Sequence, residues 1–389
     1  MADKKIQCVE CGTEFTVTEQ EQMWYLNKGF VLPKRCQNCR NARKNVKNEE
    51  KKRLAELSQT VRFKACLSQW ETISIEDISV NPSNVLYIIG NGFDLMHGVK
   101  STYRDFERTL GKNNPLRHAL ETYLRTDSLW SDFEEALGHL DVEMMCNDGV
   151  MDMWLDDFEA YGPDAQAADF CLAVDAATNP VDVITDDLPR RFRMWVESLK
   201  VKTESRPLQG LIKDGKVLNF NYTEFIEDLY GVSESNVCYI HGCRRKKKNQ
   251  PKEKLILGHR LGAGDEDSNL KPRGKHKNSY KRNMLEAAQD TALTHVAWYD
   301  DETTKKCDVI IDSHKDFFEG LKSIGQVVCI GHSLSEVDWD YFKEIVNQND
   351  LPSNMMWYVG CHGENDLMNL ERLIAVLGLE KKQIRVFET

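Results

Sequence analysis

The sequence predicts an α/β protein with a mostly parallel β-sheet. Six short apolar runs lack the polar alternation of half-exposed strands, and each ends abruptly in glycine, histidine or asparagine. Such runs are typical of strands that are buried on both faces of a parallel sheet, and helical patterns separate several of them. The runs occupy residues 85–89, 217–220, 237–240, 255–257, 327–330 and 355–359. We therefore predict a Rossmann-like sheet with a helical insertion, preceded by a small zinc ribbon.

The length of 389 residues exceeds what one compact core usually organises, so we expect more than one unit. We assign residues 1–45 to the zinc ribbon, 46–80 to a helical tether and 81–389 to an α/β nucleotide-binding domain. The turn-forming run Asn81-Pro82-Ser83 precedes the first buried strand and marks the last boundary. Within the large domain we expect a helical insertion at about 107–210 and a basic insertion at about 244–282.

Composition indicates a cytoplasmic protein. Apolar residues make up 41% of the chain, but no run approaches the roughly 18 to 20 apolar residues that span a bilayer. The start of the chain also lacks the apolar stretch of a signal peptide. Four of the twelve cysteines form two tight pairs and the others are scattered singly, which fits a reducing compartment. We expect no membrane partner.

Charge is strongly segregated along the chain. Residues 126–189 contain 17 Asp and Glu but no Lys or Arg, whereas residues 244–282 contain 14 Lys and Arg against 4 Asp and Glu. Such blocks are usually solvated faces or loops. Two alternatives remain: the blocks pair with each other, within one chain or between subunits of a homo-oligomer, or the segments 244–248 and 271–277 contact nucleic acid.

Two Cys-x-x-Cys pairs near the amino terminus predict a structural zinc site. Cys8 and Cys11 form the first pair, and Cys36 and Cys39 form the second. Each pair can offer two thiolates to one tetrahedral ion, and four cysteines leave no open coordination position for catalysis. The segment from Cys8 to Arg40 resembles the probable zinc-ribbon or treble-clef domains of bacterial proteins. This resemblance implies that the segment binds a partner, either a protein or a nucleic acid.

The first strand of the large domain runs into the turn Gly90-Asn91-Gly92. Glycines at a strand-to-helix turn allow close approach of a pyrophosphate, although tight turns also use glycine for geometry alone. Asp94 follows this turn; its carboxylate would repel a phosphate but could accept a hydrogen bond from a ribose hydroxyl, and its simplest role is to cap the turn. No P-loop motif is present in the sequence.

Two motifs carry a family resemblance. The runs 89–98 (IGNGFDLMHG) and 330–342 (IGHSLSEVDWDYF), with Tyr103-Arg-Asp-Phe106 between them, closely resemble the bacteriophage abortive infection AbiH family. The match covers roughly residue 85 to the carboxyl terminus. The resemblance implies a role in antiphage defence, with a phage-derived trigger as a partner.

A more remote resemblance is to sirtuin-like NAD-binding proteins, and it implies that NAD lies across the strand ends. In this chain the sirtuin order of motifs is Gly90-Asn-Gly92, Asn221, His241-Gly242 and Gly331-His-Ser-Leu334. The chain departs from that pattern at Asp94, where a serine is usual, and at Thr223, where an aspartate often follows the asparagine. It also lacks the sirtuin zinc module after the His-Gly pair, so we expect hydrolysis of the nicotinamide bond rather than protein deacylation.

Cleavage of an N-glycosidic bond needs a base and a group that orients the ribose or water. His241 is the candidate base because imidazole titrates near neutrality, and Asn221 is the candidate positioning group. A histidine after a strand is more often a structural hydrogen-bonding group, and that alternative stays open. His97, His259 and His362 are further candidates to line the site. The predicted NAD-binding residues are Gly90, Asn91, Gly92, Asp94, Gly331, His332, Ser333 and Asp338.

The sequence therefore predicts an antiphage protein that binds NAD or a related nucleotide and hydrolyses its N-glycosidic bond. One alternative is a metal-dependent nuclease that uses Asp94, His241 and Asp338 around a divalent ion. Another is a non-catalytic nucleotide sensor that recruits nucleic acid or a protein partner through the zinc ribbon. Fold alone does not decide among these functions.

Overall fold

The computed structural model describes residues 2–141, 144, 167–245, 252–260, 291, 294–295 and 297–389. Much of the acidic block and most of the basic block, including the segment 271–277 and part of 244–248, lie outside the described residues. The chain divides into two compact units, Met1–Cys66 and Leu67–Thr389. Within the described residues, no helix is both long enough and apolar enough to cross a membrane.

The first unit is a hairpin followed by helices. Strands β1 (Lys4–Gln7) and β2 (Glu14–Val17) pair antiparallel, and helix α1 (Glu19–Asn27) follows them. A capping box starts α1: the Thr18 side chain accepts from the Glu21 N–H, and the Glu21 carboxylate accepts from the Thr18 N–H. Helix α2 (Gln37–Leu67) begins directly after Cys36.

The second unit contains a six-stranded parallel sheet, as the sequence predicts. Its strand order is β5-β4-β3-β6-β7-β8, which corresponds to the 3-2-1-4-5-6 order of doubly wound Rossmann folds. The chain reverses direction across the sheet between β3 and β6, so the carboxyl ends of these two strands border the topological switch point. The strands are β3 (Val85–Ile89), β4 (Lys216–Asn219), β5 (Val237–Tyr239), β6 (Gln326–Ile330), β7 (Met356–Cys361) and β8 (Ile384–Glu388).

One of the six predicted strands was wrong. The run 255–257 forms no strand; its Ile256 N–H donates to the His241 carbonyl at 2.9 Å, without a continuing ladder. The sixth strand is instead β8, at the carboxyl end of the chain. It pairs in parallel with β7, and on its other side the N–H of Val386 donates to the carbonyl of Glu71.

Several helices lie between β3 and β4, the part of the chain in which the sequence predicts a helical insertion. The helices that follow β3 are α3 (Asn91–Met96), α4 (Tyr103–Leu110), α5 (Pro115–Tyr123), α6 (Phe133–Ala136) and α7 (Ala167–Ser198). Those after β4 are α8 (Phe225–Tyr230), α9 (Cys307–Ser313), α10 (Lys315–Glu319), α11 (Trp339–Gln348) and α12 (Glu364–Leu377). Rings of Phe106, Phe133 and Phe192 pack together, and they belong to the same buried core as the β3 side chains. The insertion thus shares a core with the sheet.

Candidate functional site

The four predicted cysteines converge in the first unit. Cys8 and Cys11 lie in the β1–β2 turn, while Cys36 and Cys39 lie at the start of α2. Their sulfur atoms all lie within 4.8 Å of one another, and those of Cys11 and Cys36 are 3.7 Å apart. A tetrahedral zinc ion with Zn–S bonds of about 2.3 Å needs sulfur separations of about 3.8 Å. The donor set therefore fits a structural zinc ion.

A cavity of about 780 Å³ opens at the carboxyl edge of the parallel sheet. Its volume is within the range of small-molecule sites, and its position is where open α/β sheets bind ligands. All the residues predicted to act on or bind a nucleotide line it. They are Gly90, Asn91, Gly92, Asp94, Asn221, His241, Gly331, His332, Ser333 and Asp338.

The glycines of the site are required by the close approach of two turns. A Cβ atom on Gly90 would lie 2.6 Å from the Gly331 oxygen, and one on Gly331 would lie 2.3 Å from the Phe93 nitrogen. The N–H of Gly90 donates to the Ile330 carbonyl at 3.0 Å, and that of Gly92 donates to the Gly331 carbonyl at 2.7 Å. These two N–H groups are therefore engaged within the protein, which favours the geometric role of the glycines over phosphate binding.

Asn221 is held in one orientation by its neighbours. Its Nδ2 group donates to the Gly90 carbonyl at 3.0 Å and to Asp94 Oδ1 at 2.9 Å. Its backbone N–H donates to Asn219 Oδ1 at 2.9 Å. Because both amide hydrogens of Asn221 have acceptors, Oδ1 is the side-chain atom that remains for a ligand. This oxygen can accept a hydrogen bond.

Asp94 supports Asn221 from inside the protein. It is 2% exposed, and its second oxygen accepts from Thr223 Oγ1 at 2.8 Å. Burial raises the pKa of Asp94 to about 7, although the hydrogen bonds from Thr223 and Asn221 favour the ionised form. The carboxyl group therefore titrates near neutrality while it fixes the Asn221 amide.

Asp338 connects the basic side chains of the site. Its Oδ1 lies 3.1 Å from Lys305 Nζ and 3.7 Å from His241 Nε2, and its Oδ2 lies 3.4 Å from His332 Nε2. Burial alone would raise the pKa of Asp338, but the Lys305 charge and the His332 hydrogen bond hold it well below the usual range. Asp338 is therefore an ionised carboxylate among three nitrogen groups.

His241 has a buried ring nitrogen without a hydrogen-bond partner among the described residues. Its side chain is 3% exposed, and the Asp338 oxygen at 3.7 Å is too distant for a hydrogen bond with its Nε2. Burial and the Lys305 charge hold the pKa of His241 well below its usual range. The ring is therefore a neutral imidazole, its Nε2 has no protein partner among the described residues, and the residue lines the cavity.

His332 is aimed at Asp338 by a strained turn. Its Nδ1 accepts from the Leu334 N–H at 2.9 Å, which leaves Nε2 as the protonated nitrogen that faces Asp338. Leu334 has a φ of 56°, an uncommon conformation for a bulky residue, and its carbonyl accepts from Trp339 Nε1 at 3.0 Å. Ser333 is exposed at this turn.

Sequence reasoning missed Lys305 and Glu134. The Lys305 side chain is 0% exposed, and its Nζ contacts Glu134 Oε2 at 2.7 Å as well as Asp338. Nothing in the local sequence separates Lys305 from Lys306, which is half-exposed and pairs with Asp301. Glu134 lies among Trp130, Phe133 and Leu137, whose helical spacing indicates only core packing. Tyr103, which donates to Glu134 Oε1 at 2.8 Å, lies in a motif that the family resemblance had already marked.

The three further histidines have different positions. His362 lines the cavity. His97 is buried elsewhere, where its ring nitrogens contact the Phe93 carbonyl at 2.7 Å and the Tyr230 hydroxyl at 2.8 Å. His259 is also outside the cavity lining; its ring contacts Thr303, and its carbonyl accepts from the Lys305 N–H at 2.7 Å. His97 and His259 therefore have structural contacts, and His259 fixes the backbone of Lys305.

The fold and the sites define a Rossmann-type α/β protein with a polar cavity at its switch point, together with a four-cysteine zinc module. A family profile described as bacteriophage abortive infection AbiH matches residues 86–359, and one described as a probable treble clef domain matches residues 2–48. The chain belongs to the AbiH family, which implies a role in abortive infection defence against bacteriophage. Comparisons with curated proteins and with solved structures found no match.

Proposed function

We propose that the cavity binds NAD and that the protein hydrolyses its N-glycosidic bond. The observation that carries this proposal is the pairing of two groups in one cavity: the unbonded Nε2 of neutral His241 and the Oδ1 acceptor of Asn221. A buried polar atom without a partner is uncommon in folded proteins, and a ligand or water is the usual explanation. Antiphage defence by NAD depletion is consistent with the family.

In this mechanism, a water molecule attacks the anomeric carbon of the nicotinamide ribose. The C–N bond breaks, and nicotinamide leaves as a neutral molecule with the bonding electron pair. His241 accepts the proton of the attacking water, and Asn221 Oδ1 accepts a hydrogen bond from that water or from a ribose hydroxyl. Asp338 then faces an imidazolium, whose charge it stabilises.

The walls of the cavity support a cationic reacting group. Six carboxylates line the cavity, and two of them, Glu134 and Asp338, contact the buried Lys305; Arg104 is the one arginine or lysine among the described lining residues. Aromatic rings and carboxylates both favour positive charge. The nicotinamide ring of NAD is a cation, and the sugar becomes oxocarbenium-like in the transition state. The carboxylates are Asp94, Asp132, Glu134, Glu135, Asp338 and Asp366, and the aromatic residues are Tyr103, Trp130, Phe133, Phe192, Trp195, Phe220 and Tyr222.

The two departures from the sirtuin pattern compensate for each other. The pattern has a hydroxyl at the Asp94 position and often a carboxylate at the Thr223 position. In this chain the Thr223 hydroxyl donates to the Asp94 carboxylate at 2.8 Å. A hydroxyl–carboxylate contact is therefore compatible with the sirtuin pattern as well as with this chain, but the residue that carries the hydroxyl and the residue that carries the carboxylate have exchanged positions. This supports a sirtuin-like use of Asn221.

The nuclease alternative has less support from the contacts. The ammonium group of Lys305 already contacts the Asp338 carboxylate, and its positive charge would repel a divalent ion at that position. The two oxygens of Asp94 accept from Asn221 and Thr223. Among the described residues, the four cysteines are the one group of three or more His, Cys, Asp and Glu side chains close enough to hold an ion. Asp94, His241 and Asp338 do not form such a group.

The proposal is tested by nicotinamide release from NAD, measured by chromatography. Wild type is compared with His241→Ala and Asn221→Ala, and His118→Ala, on the exposed face of α5, is the control. Loss of a general base lowers turnover by about 100- to 10,000-fold. We expect both site variants to lose release and the control to retain it.

If His241→Ala releases nicotinamide at the wild-type rate, His241 is not the base. Calorimetric binding of NAD without release would instead support the nucleotide-sensor alternative. If NAD neither binds nor is consumed, the sirtuin-like reading is wrong.

A further inference from the structure

Lys305 is a fully buried cation that joins two distant parts of the chain. Its Nζ lies 2.7 Å from Glu134 Oε2 and 3.1 Å from Asp338 Oδ1, and its side chain is 0% exposed. Glu134 belongs to α6 of the insertion, whereas Asp338 directly precedes α11. His259 holds the backbone of Lys305 through the hydrogen bond at 2.7 Å. The ammonium position is therefore fixed from the backbone and from both carboxylates.

A buried ion pair is weak evidence for stability, because removing charges from water costs about as much as the pair regains. A specific function is the better explanation where the pair adjoins an unbonded catalytic candidate. Asp338 Oδ1 is shared between Lys305, at 3.1 Å, and His241, at 3.7 Å. The positive charge of Lys305 and the ring of His241 thus compete for the same carboxylate oxygen.

His241 is surrounded by groups from several elements. Asp338, which directly precedes α11, and Tyr341, within α11, lie next to its ring. His332 approaches it from the turn after β6, and Tyr222 approaches it from the loop after β4. Lys305, which precedes α9, is the permanent cation among these groups. Asp338 favours a proton on His241, whereas Lys305 opposes it.

We propose that Lys305 is a positioning residue of the hydrolase site, which keeps Asp338 ionised and oriented and keeps His241 in the uncharged form that can accept a proton. This inference rests on the proposed function of His241. Burial and the Lys305 charge together lower the pKa of His241, in agreement with this geometry. Without Lys305, the attraction of the Asp338 carboxylate for a proton on His241 would be unopposed, and a larger fraction of His241 would be charged and unable to accept a proton.

The experiment follows the imidazole of His241 by NMR in protein labelled at histidine Cε1, from pH 5 to 8.5, without substrate. His241→Asn identifies its resonance among the ten histidines. In wild type we expect the titration midpoint of His241 to lie well below that of an ordinary histidine. In Lys305→Met we expect this midpoint to rise by at least about one pH unit, because the variant removes the charge that opposes a proton on His241.

Lys306→Met is the matched control, because Lys306 is adjacent in sequence but half-exposed and paired with Asp301. We expect it to leave the His241 titration as in wild type. If Lys305→Met does not fold, the double variant Glu134→Gln/Lys305→Met removes one of the two buried carboxylates that would otherwise lose their partner. The wild-type curve also decides by itself: a His241 midpoint near 6.5 would overturn the proposal, as would an unchanged midpoint in a folded Lys305 variant.

This readout is separable from catalysis. If NAD is hydrolysed, the acidic limb of the kcat/KM profile should move to higher pH in Lys305→Met and stay in place in Lys306→Met. If NAD is not hydrolysed, the proposed function fails while the NMR titration still tests the effect of Lys305 on His241. Failure of either proposal is therefore recognised independently.

Discussion

Replacement of Asp94 by asparagine tests the electrostatics of the switch-point turn. The substitution keeps the size of the side chain. The Oδ1 atom of the new asparagine can accept a hydrogen bond from Asn221. Its Nδ2 group can donate a hydrogen bond to Thr223 Oγ1, because a hydroxyl oxygen can act as an acceptor. The two hydrogen bonds at 2.9 and 2.8 Å therefore have replacements, and the main change is the loss of a titrating carboxyl group.

The sign of the effect follows from the raised pKa. Asp94 has a pKa of about 7 in the folded protein because it is buried, compared with about 4 in an unfolded chain. The folded state therefore binds the proton more tightly, so stability is highest below pH 4 and falls as the pH rises towards 7. Three pKa units correspond to about 4 kcal/mol, and roughly two-thirds of it is lost between pH 5 and pH 8.

The assay is thermal unfolding of wild type and Asp94→Asn, with zinc present, between pH 5 and pH 8. For a unit of about 320 residues, this loss corresponds to a decrease in Tm of about 4 °C. We therefore expect the Tm of wild type to fall by about that amount relative to Asp94→Asn over this range. Asp132→Asn, at an exposed position of the same cavity wall, should follow wild type. Parallel curves for wild type and Asp94→Asn would refute the reasoning.

Two further predictions concern the zinc module and the glycine turn. Metal analysis should find one zinc ion per chain, and Cys11→Ser should lose most of it, whereas substitution of Cys66, outside the cluster, should not; equal zinc in both would contradict the four-cysteine site. Gly331→Ala should destabilise the protein by about 3 kcal/mol or more, because an added Cβ would meet Phe93 at 2.3 Å. Gly378 has a similar φ of 67° in the ordinary left-handed region and open space around it, so Gly378→Ala should cost only about 1 to 2 kcal/mol; equal costs would exclude the steric explanation.

The cavity residues at strand ends were predictable because their positions depend on a local pattern. Asn221, His241 and His332 each follow a buried apolar run, and the carboxyl ends of parallel strands meet at one edge. The same reasoning was wrong at 255–257, where three apolar residues are too few to distinguish a strand from a buried loop. It missed β8, in which the half-buried Arg385 interrupts the apolar run.

Lys305 could not be predicted in this way. Its burial depends on Glu134, 171 residues earlier, and on Asp338, 33 residues later. A charged side chain becomes part of a core only when such partners converge, and neither partner shares a short motif with it. The role of the glycines was likewise undecided in sequence, since close contact between Gly90 and Gly331 appears only when β3 and β6 pair.

The pairing of β3 with β6 also has a consequence for protein synthesis. The cavity needs the turn after β3 and the turn after β6, and about 240 residues separate them, which a ribosome adds in roughly 12 to 50 seconds. During that interval the nascent chain has Asp94 but neither His332 nor Asp338, and the Gly90 turn lacks its Gly331 partner. A chain interrupted at any point before Gly331 therefore lacks the side of the cavity that His332 and Asp338 form.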